Sequence, residues 1–521
     1  MPRSPRLVPF LVVLCSAVTV TFLATGPWPR PFAIARFENI AAVWVVAALV
    51  ALSHQPSRAV IRAWLQCEAR LSRNAAIAAT ALEFLFLMRL ISARYLALEV
   101  NAWDFSLSFD RPIERTLHGE FLWSPDLGRP ALGTHCNWIV LAFVPLYAIV
   151  ASPWWLIAGQ AAAITAAVVA LFWLTRTVSG DDFLSACVTL AFLLNRYTAR
   201  AAQFVFVADV FYPAALFLLY LAFIRKKPWL FITALFVTLA IKEDAVLPLA
   251  GFAIVAGLEY RRWRWAAATV AIAGTVFVFD YCFVLPGFGR SAVPWYANYW
   301  ASYGADPLSA IGGMLASPLH VARRVITGTF DFFGCLAFAP LAGRPWIIAV
   351  IPSLIVFGAA DADKVHYLTL HYSLPLLPAM FASLPFALER IGARFRDVRF
   401  ARRIAAVVVL VVSALVGSTY ELDAPRSERL FIAPLVQRAG DVPLYVQGAL
   451  LPHAGYARNV LALHHDIQPP RNSAFLLCET CDPYPFTADE HAARIHALRH
   501  AAGYQEIREG GLLLFVSQRR R

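Results

Sequence analysis

Asp104 stands at the head of a charged, aromatic-rich loop running from about Asn101 to Asn137, a few positions beyond the end of an apolar helix. A carboxylate at that depth is a functional-site candidate, because ionised groups beside an apolar layer are costly unless they face water or a partner. The plainer reading makes it the cap of the following helix. Behind it come Asp110, Arg111, Glu114, Arg115, His118, the Gly128-Arg129-Pro130 turn and the Gly133-Thr134-His135 stretch. A carboxylate beside several cations suits activation of a hydroxyl or amide acceptor and retention of an anionic leaving group. At least two of Arg111, Glu114, Arg115 and His118 are expected on the solvated face of an interfacial helix.

Three further sets carry the same chemistry. Arg196 and Arg200 precede Asp209, which opens Asp209-Val-Phe-Tyr-Pro213. Arginine binds phosphate in bidentate fashion, although it also snorkels to lipid headgroups. Asp209 is a candidate for binding substrate or a metal. Lys242-Glu243-Asp244 packs three ionisable groups between two apolar segments, with almost no loop to solvate them. Glu243 and Asp244 join Asp104 as candidate catalytic carboxylates, and Lys242 is a candidate phosphate ligand. Asp361, Asp363, Lys364, His366, Tyr367, His371 and Tyr372 form the last set, with His371 and Tyr372 as candidate substrate contacts. No Walker loop, dinucleotide fingerprint, nucleophile elbow or His-Glu-x-x-His motif accompanies them.

The elements that must position these residues are membrane segments. Of 521 residues, 60% are hydrophobic and 15% charged, and the mean hydropathy is +0.61. These values lie outside the range of soluble domains. About thirteen apolar stretches approach the length of a bilayer crossing, at 7–25, 38–53, 77–97, 154–174, 183–198, 205–223, 229–242, 245–259, 264–284, 327–341, 346–359, 373–389 and 404–420. The first follows Arg3 and Arg6 as a signal peptide would, but no small-x-small cleavage site follows it, so it reads as a retained anchor. The net charge of +12 does not indicate nucleic acid, because the cations alternate between connections. Arg58, Arg62, Arg70 and Arg73 mark one loop, Arg225, Lys226 and Lys227 another, Arg261, Arg262 and Arg264 a third, and Arg390 to Arg403 the strongest. Placing these inside puts the N-terminus in the cytoplasm and Asp104, Lys242 to Asp244, Leu285 to Asp306 and the C-terminal part outside. Parity holds when Trp138 to Val150, too short to cross, lies in the outer interface.

The chain divides into an N-terminal pair of crossings with a cytoplasmic loop (1–76), a membrane domain (77–420) whose first outer loop is 100–137, and a periplasmic domain (421–521). In the last, short β-like runs at Pro443–Gln447 and Gly511–Ser517 bracket a helical pattern at Ala488–Ala502, giving a small α/β unit on an otherwise all-α bundle. Cys478 and Cys481 lie in this unit, where an oxidising compartment favours a disulfide. Cys15, Cys187, Cys282 and Cys335 fall in apolar segments as small core residues.

The order of these features resembles the GT-C superfamily of multi-pass glycosyltransferases and, more closely, the DUF2079 family of bacterial membrane proteins. The stretches that carry the resemblance are Asp104-Phe105 with Leu117-His118-Gly119, Gly133-Thr134-His135 leading to Pro145-Leu146-Tyr147, Gln160, and Asp209-x-x-Tyr212-Pro213. Lys242-Glu243-Asp244-Ala245, Tyr299 to Gly304, His371-Tyr372-Ser373-Leu374-Pro375 and Leu451-Pro452-His453 continue it, over roughly 80–520. The resemblance implies sugar transfer from a polyprenyl-phosphate carrier on the outer face of the bacterial inner membrane. Asp104 then falls in the role of first-loop acid, and Asp209 near the donor phosphate or a divalent cation such as Mg or Mn. The chain departs from the common pattern in having a single acid at Asp104, and His135 where some relatives place Glu or Lys. Cations such as Arg196, Arg200 or Lys242 are expected to meet the lipid phosphate in an inverting displacement, and His135 is a candidate substrate contact. A flippase or transporter of lipid-linked glycans and a non-catalytic membrane scaffold are the alternatives. Against the transporter, inverted repeats are not evident and the charges gather at one face.

Overall fold

The computed structural model describes residues 46–47, 50, 54–66, 73–101, 103–289, 295–417, 422–465, 470, 472–501 and 503–517. Most of the apolar stretches at 7–25 and 38–53, and Cys15, Cys67 and Arg70, lie outside them. Within them the chain is mostly helical up to Gly417 and ends in a five-stranded sheet.

Among the described residues, three helices are long and apolar enough to cross a bilayer: Asn74–Leu96, Trp154–Ser179 and Trp263–Gly287. Around them run shorter apolar helices, including Asp182–Leu193, Ala208–Ile224, Pro228–Leu239 and Trp346–Gly358. Several stretches that read as full crossings are therefore helices of 12 to 17 residues joined by tight turns. Such segments hold together because their apolar side chains face one another: Leu216, Phe217, Leu219, Tyr220 and Phe223 of Phe211–Ile224 are all fully buried. The thirteenfold count does not follow from the described helices.

The two ends of the bundle differ chemically. At one end the cations gather. Arg402 and Arg403 reach Asp181 at 3.2 and 2.8 Å, Arg225 reaches Thr177, Arg262 the carbonyl of Phe223, and Arg344 Glu259. Asp181 also caps Asp182–Leu193, accepting from the amides of Phe183 and Leu184. The preceding helix ends at Gly180, whose φ of +63° is the left-handed cap that glycine adopts without strain. Two helices are thus turned and clamped to Val398–Gly417 by one carboxylate.

The other end carries the candidate residues. Trp103–Asp110 is π-helical and leads into Arg111–Leu117. A two-stranded ribbon, Trp123–Ser124 with Arg129–Pro130, departs from an all-helical reading. Trp138–Phe143 and Val144–Ile149 make twelve helical residues in two pieces, short of a bilayer. The C-terminal sheet has the order Val460–Ala462, Leu444–Val446, Ala474–Cys478, Leu512–Ser517, Tyr504–Glu509, parallel across the first three strands and antiparallel beyond. The helix read at 488–502 is Ala488–His500, started by a Thr487/Glu490 capping box. Three of the five strands were not read: both faces of Ala474–Cys478 are buried, Val460–Ala462 is only three residues long, and Tyr504–Glu509 is largely polar.

This domain lies on the first loop and corrects one expectation. Arg111, Glu114 and Arg115 are buried, not solvated. Arg111 pairs with the fully buried Asp126 at 3.2 Å and donates to the carbonyls of Ala457 and Val460, while Arg115 donates to that of Tyr456. Asp126 in turn accepts from the Ala462 amide. Asp110 accepts from the hydroxyls of Tyr147 at 2.6 Å and Tyr456 at 2.8 Å. Of the four charged residues only His118 stays exposed.

Candidate functional site

Asp104 sits in the first turn of its π-helical segment, half-buried, and accepts from the Asn101 amide at 2.9 Å. A π-helical turn widens the backbone and recurs where a side chain must be aimed off the helical register. Burial pushes the Asp104 carboxyl up to about 6; Asp209 adds to the rise, while His135, Lys242 and Lys364 oppose it. Five segments distant in sequence thus bring charge to one place.

The loop bearing His135 is laced to the turn bearing Lys242. The Asn137 side chain donates to the Ile241 carbonyl and the Ile139 amide to that of Ala240, each at 2.7 Å. Glu243 closes the junction: Oε1 meets His135 Nδ1 at 2.7 Å, and Oε2 accepts from the Cys136 amide at 3.0 Å. Burial works against ionising Glu243, yet the His135 imidazole and Lys242 outweigh it and leave the carboxyl at about 2. An ionised carboxylate only accepts, so Nδ1 is assigned the proton. With both oxygens engaged, Glu243 is placed to orient His135. Behind this pair, Asp280 accepts from Trp138 Nε1 at 3.0 Å, fixing the far side of the loop.

Lys242 is buried between two carboxylates, Nζ lying 3.5 Å from Asp209 and 3.7 Å from Asp244. Burial disfavours its charge, but these neighbours and Glu243 hold it protonated, well above the ordinary lysine range. Asp244 also accepts from the Tyr212 hydroxyl, which ties the turn to the Phe211–Ile224 helix. His371 lies beside the Phe204 ring at 5.5 Å and is kept neutral by burial and by the cations Lys242, His135 and Lys364. Tyr372 packs against Tyr299, and Lys364 lies over the Tyr299 ring at 5.0 Å. The structure therefore gathers Asp104, His135, Asp209, Lys242, Glu243, Asp244, His371 and Tyr372. Arg196 and Arg200 stand elsewhere, beside Asp331, with Arg196 Nη1 3.7 Å from its carboxylate. Asp361 binds Ser302, and His366 is buried against the Gly358 carbonyl.

A divalent cation fits these residues poorly. Among the described residues no three His, Cys, Asp or Glu side chains converge to hold a metal. The two carboxylates best placed to do so already share the Lys242 ammonium, whereas Mg or Mn needs oxygen ligands around a near-octahedral shell.

A family model for predicted membrane proteins, DUF2079, matches residues 94–437. The chain belongs to this family. Every gathered residue named above lies inside the span that defines DUF2079. No curated protein matches the chain. Among solved structures, the arabinofuranosyltransferase AftD from Mycobacteria superposes with a TM-score of 0.52 at 14% identity, over 87% of this chain and 40% of AftD, so the chain spans less than half of that protein. ArnT from Cupriavidus metallidurans, crystallised with undecaprenyl phosphate, gives a TM-score of 0.48 at 12% identity, over 85% of this chain and 98% of ArnT. At such identities the likeness to AftD concerns the fold alone.

Sequence reading had no signal for three nearby residues. Gln203, Asp482 and Tyr484 border the site from a connection and from the C-terminal domain. Nothing in their local sequence sets them apart, since only packing of the sheet domain brings 482–484 to the bundle.

Proposed function

We propose that this DUF2079 protein is a membrane glycosyltransferase of the GT-C type, moving a sugar from a polyprenyl-phosphate carrier to an acceptor at the outer face of the bacterial inner membrane. The observation that carries the reading is the pairing of one half-buried carboxylate, Asp104, with a buried cationic group, Lys242 and the Glu243-oriented His135. In this reading Asp104 takes the proton of an acceptor hydroxyl, whose oxygen forms a bond to the anomeric carbon. The bond from that carbon to the carrier phosphate breaks, and the phosphate leaves with the electron pair, its charge met by Lys242 and His135. Attack opposite the leaving group inverts the anomeric centre. Asp209 and Asp244 hold Lys242 in position, and Glu243 holds His135. Separation of cations to the opposite end of the bundle supports a cytoplasmic N-terminus and a periplasmic C-terminal domain.

The test is transfer from a panel of radiolabelled polyprenyl-phosphate sugars by membranes containing the protein. Wild-type protein is expected to release polyprenyl phosphate and label an acceptor, and Asp104→Asn at equal abundance to slow this by roughly 10²–10⁴. Near wild-type turnover of Asp104→Asn would remove Asp104 from the chemistry.

A further inference from the structure

A second feature lies beside Asn101, the hydrogen-bond partner of Asp104. A cavity of about 210 Å³ lies between the end of the Arg73–Leu96 helix, the connection at 203–206 and the C-terminal domain at 482–484. Its polar wall is Arg94, Glu99, Asn101, Gln203, Asp482 and Tyr484; Phe105 and Phe204 add aromatic surface. Asn101 links it to the candidate base, because the same amide that lines the cavity donates to Asp104. Burial, and the nearby carboxylates of Asp104 and Asp482, push the Tyr484 hydroxyl up, so it stays neutral.

We propose that this cavity binds the acceptor, as a neutral polyhydroxylated group about the size of one sugar ring, with the reacting hydroxyl turned toward Asp104. The proposal rests on the transferase reading and names its acceptor class.

Three observations select that class. Side-chain amides and carboxylates beside aromatic faces match a ring with alternating hydroxyl and C–H surfaces, and a site built to hydrogen-bond hydroxyls rejects ligands that lack them. The volume is below the roughly 300 Å³ at which sites for drug-sized ligands begin, and fits a single ring better than a lipid tail. The charge disfavours an anion: the single cation Arg94 faces two carboxylates, Asp423 at 3.0 Å and Glu99 at 3.9 Å, and Asp482 adds a third. A phosphate is drawn instead to Lys242 and His135.

The wall made by the C-terminal domain is fixed in place. Cys478 and Cys481 are disulfide-bonded immediately before it, the Gln447 side chain donates to the Asp482 carbonyl at 2.7 Å, and the Tyr484 amide donates to Asp482 Oδ1 at 3.1 Å. These residues lie beyond the span that the family model matches, so part of the acceptor wall comes from outside it.

The experiment is saturation-transfer NMR on the purified full chain in lipid nanodiscs, with a panel of methyl pyranosides and furanosides as probes. At least one uncharged glycoside is expected to bind. Gln203→Ala on the bundle and Tyr484→Ala on the sheet domain should each weaken it at least about tenfold. Thermal unfolding of each variant checks that it is folded, and Tyr484→Phe, which keeps the ring, should retain part of the binding. Binding of a glycoside without transfer from any donor would uphold the cavity and sink the transferase reading. No binding by any panel member, or binding indifferent to both alanine variants, would overturn the cavity proposal even where transfer is observed.

Discussion

In the proposed transfer, Asp104 must lose a proton to solvent and recover one from the acceptor. The raised carboxyl of Asp104, at about 6, makes the sign definite. The base form exists only above that value, so transfer should fall as pH drops through about 6, and the limb should vanish from the residual activity of Asp104→Asn. The same shift means that the folded protein binds the Asp104 proton more tightly than the unfolded chain. Its contribution to stability therefore declines as pH rises from about 4 to 6, and Asp104→Asn should not lower the unfolding temperature at neutral pH. The cations are separable in the same assay. Lys242→Ala is expected to lose roughly 10²–10³ in turnover, the range for removing a preorganised charge partner. Arg196→Ala, whose guanidinium faces Asp331, should lose less than about tenfold. Equal losses in the two variants would move the phosphate site toward Arg196.

At the scale of elements, the joint at Asp181 does most to hold helices in register. One carboxylate caps Asp182–Leu193 and pairs with Arg403 on Val398–Gly417, both side chains being nearly inaccessible, at 2% and 3% exposure. Asp181→Ala removes the cap and leaves a buried guanidinium without its partner, so unfolding in detergent should shift by about 3–5 kcal/mol. Asp181→Asn, which can still accept from the two amides, should lose less. A shift under about 1 kcal/mol for the alanine variant would mean that Arg403 finds another partner. The helical elements were legible because apolar runs announce themselves by composition. The first loop was not: Arg111, Glu114 and Arg115 read as a solvated face, since the sequence gives no sign that a domain more than three hundred residues later covers them.

Over the whole molecule, the opposition of a cation-rich end and a carboxylate-rich end is the feature on which orientation depends. Labelling of single cysteines by an impermeant reagent added outside intact cells is expected to modify Thr134→Cys and Ser152→Cys and to spare Arg225→Cys. Protection of Ser152→Cys alone would mean that Trp138 to Ile149 crosses the membrane. Labelling of Arg225→Cys would invert the bundle and place the candidate site in the cytoplasm, where a periplasmic acceptor is ruled out.

What the sequence by itself determined is what composition and charge order can encode: a helical membrane chain, cations alternating between its connections, a small α/β unit at the end, and a few ionisable residues too costly to be idle. Asp104, Lys242 and Glu243 were visible for that reason, since a charge beside an apolar run is conspicuous whatever it touches. Their division of labour was not visible. Glu243 as orienter of His135, Lys242 in the space a cation would need between Asp209 and Asp244, and Arg196 drawn off to Asp331 all depend on distances between segments far apart in the chain. The wall formed by Gln203, Asp482 and Tyr484 is the extreme case. These are ordinary loop residues, and only the docking of the sheet domain on the first loop, through Arg111, Asp126 and Ala462, gives them a cavity to line.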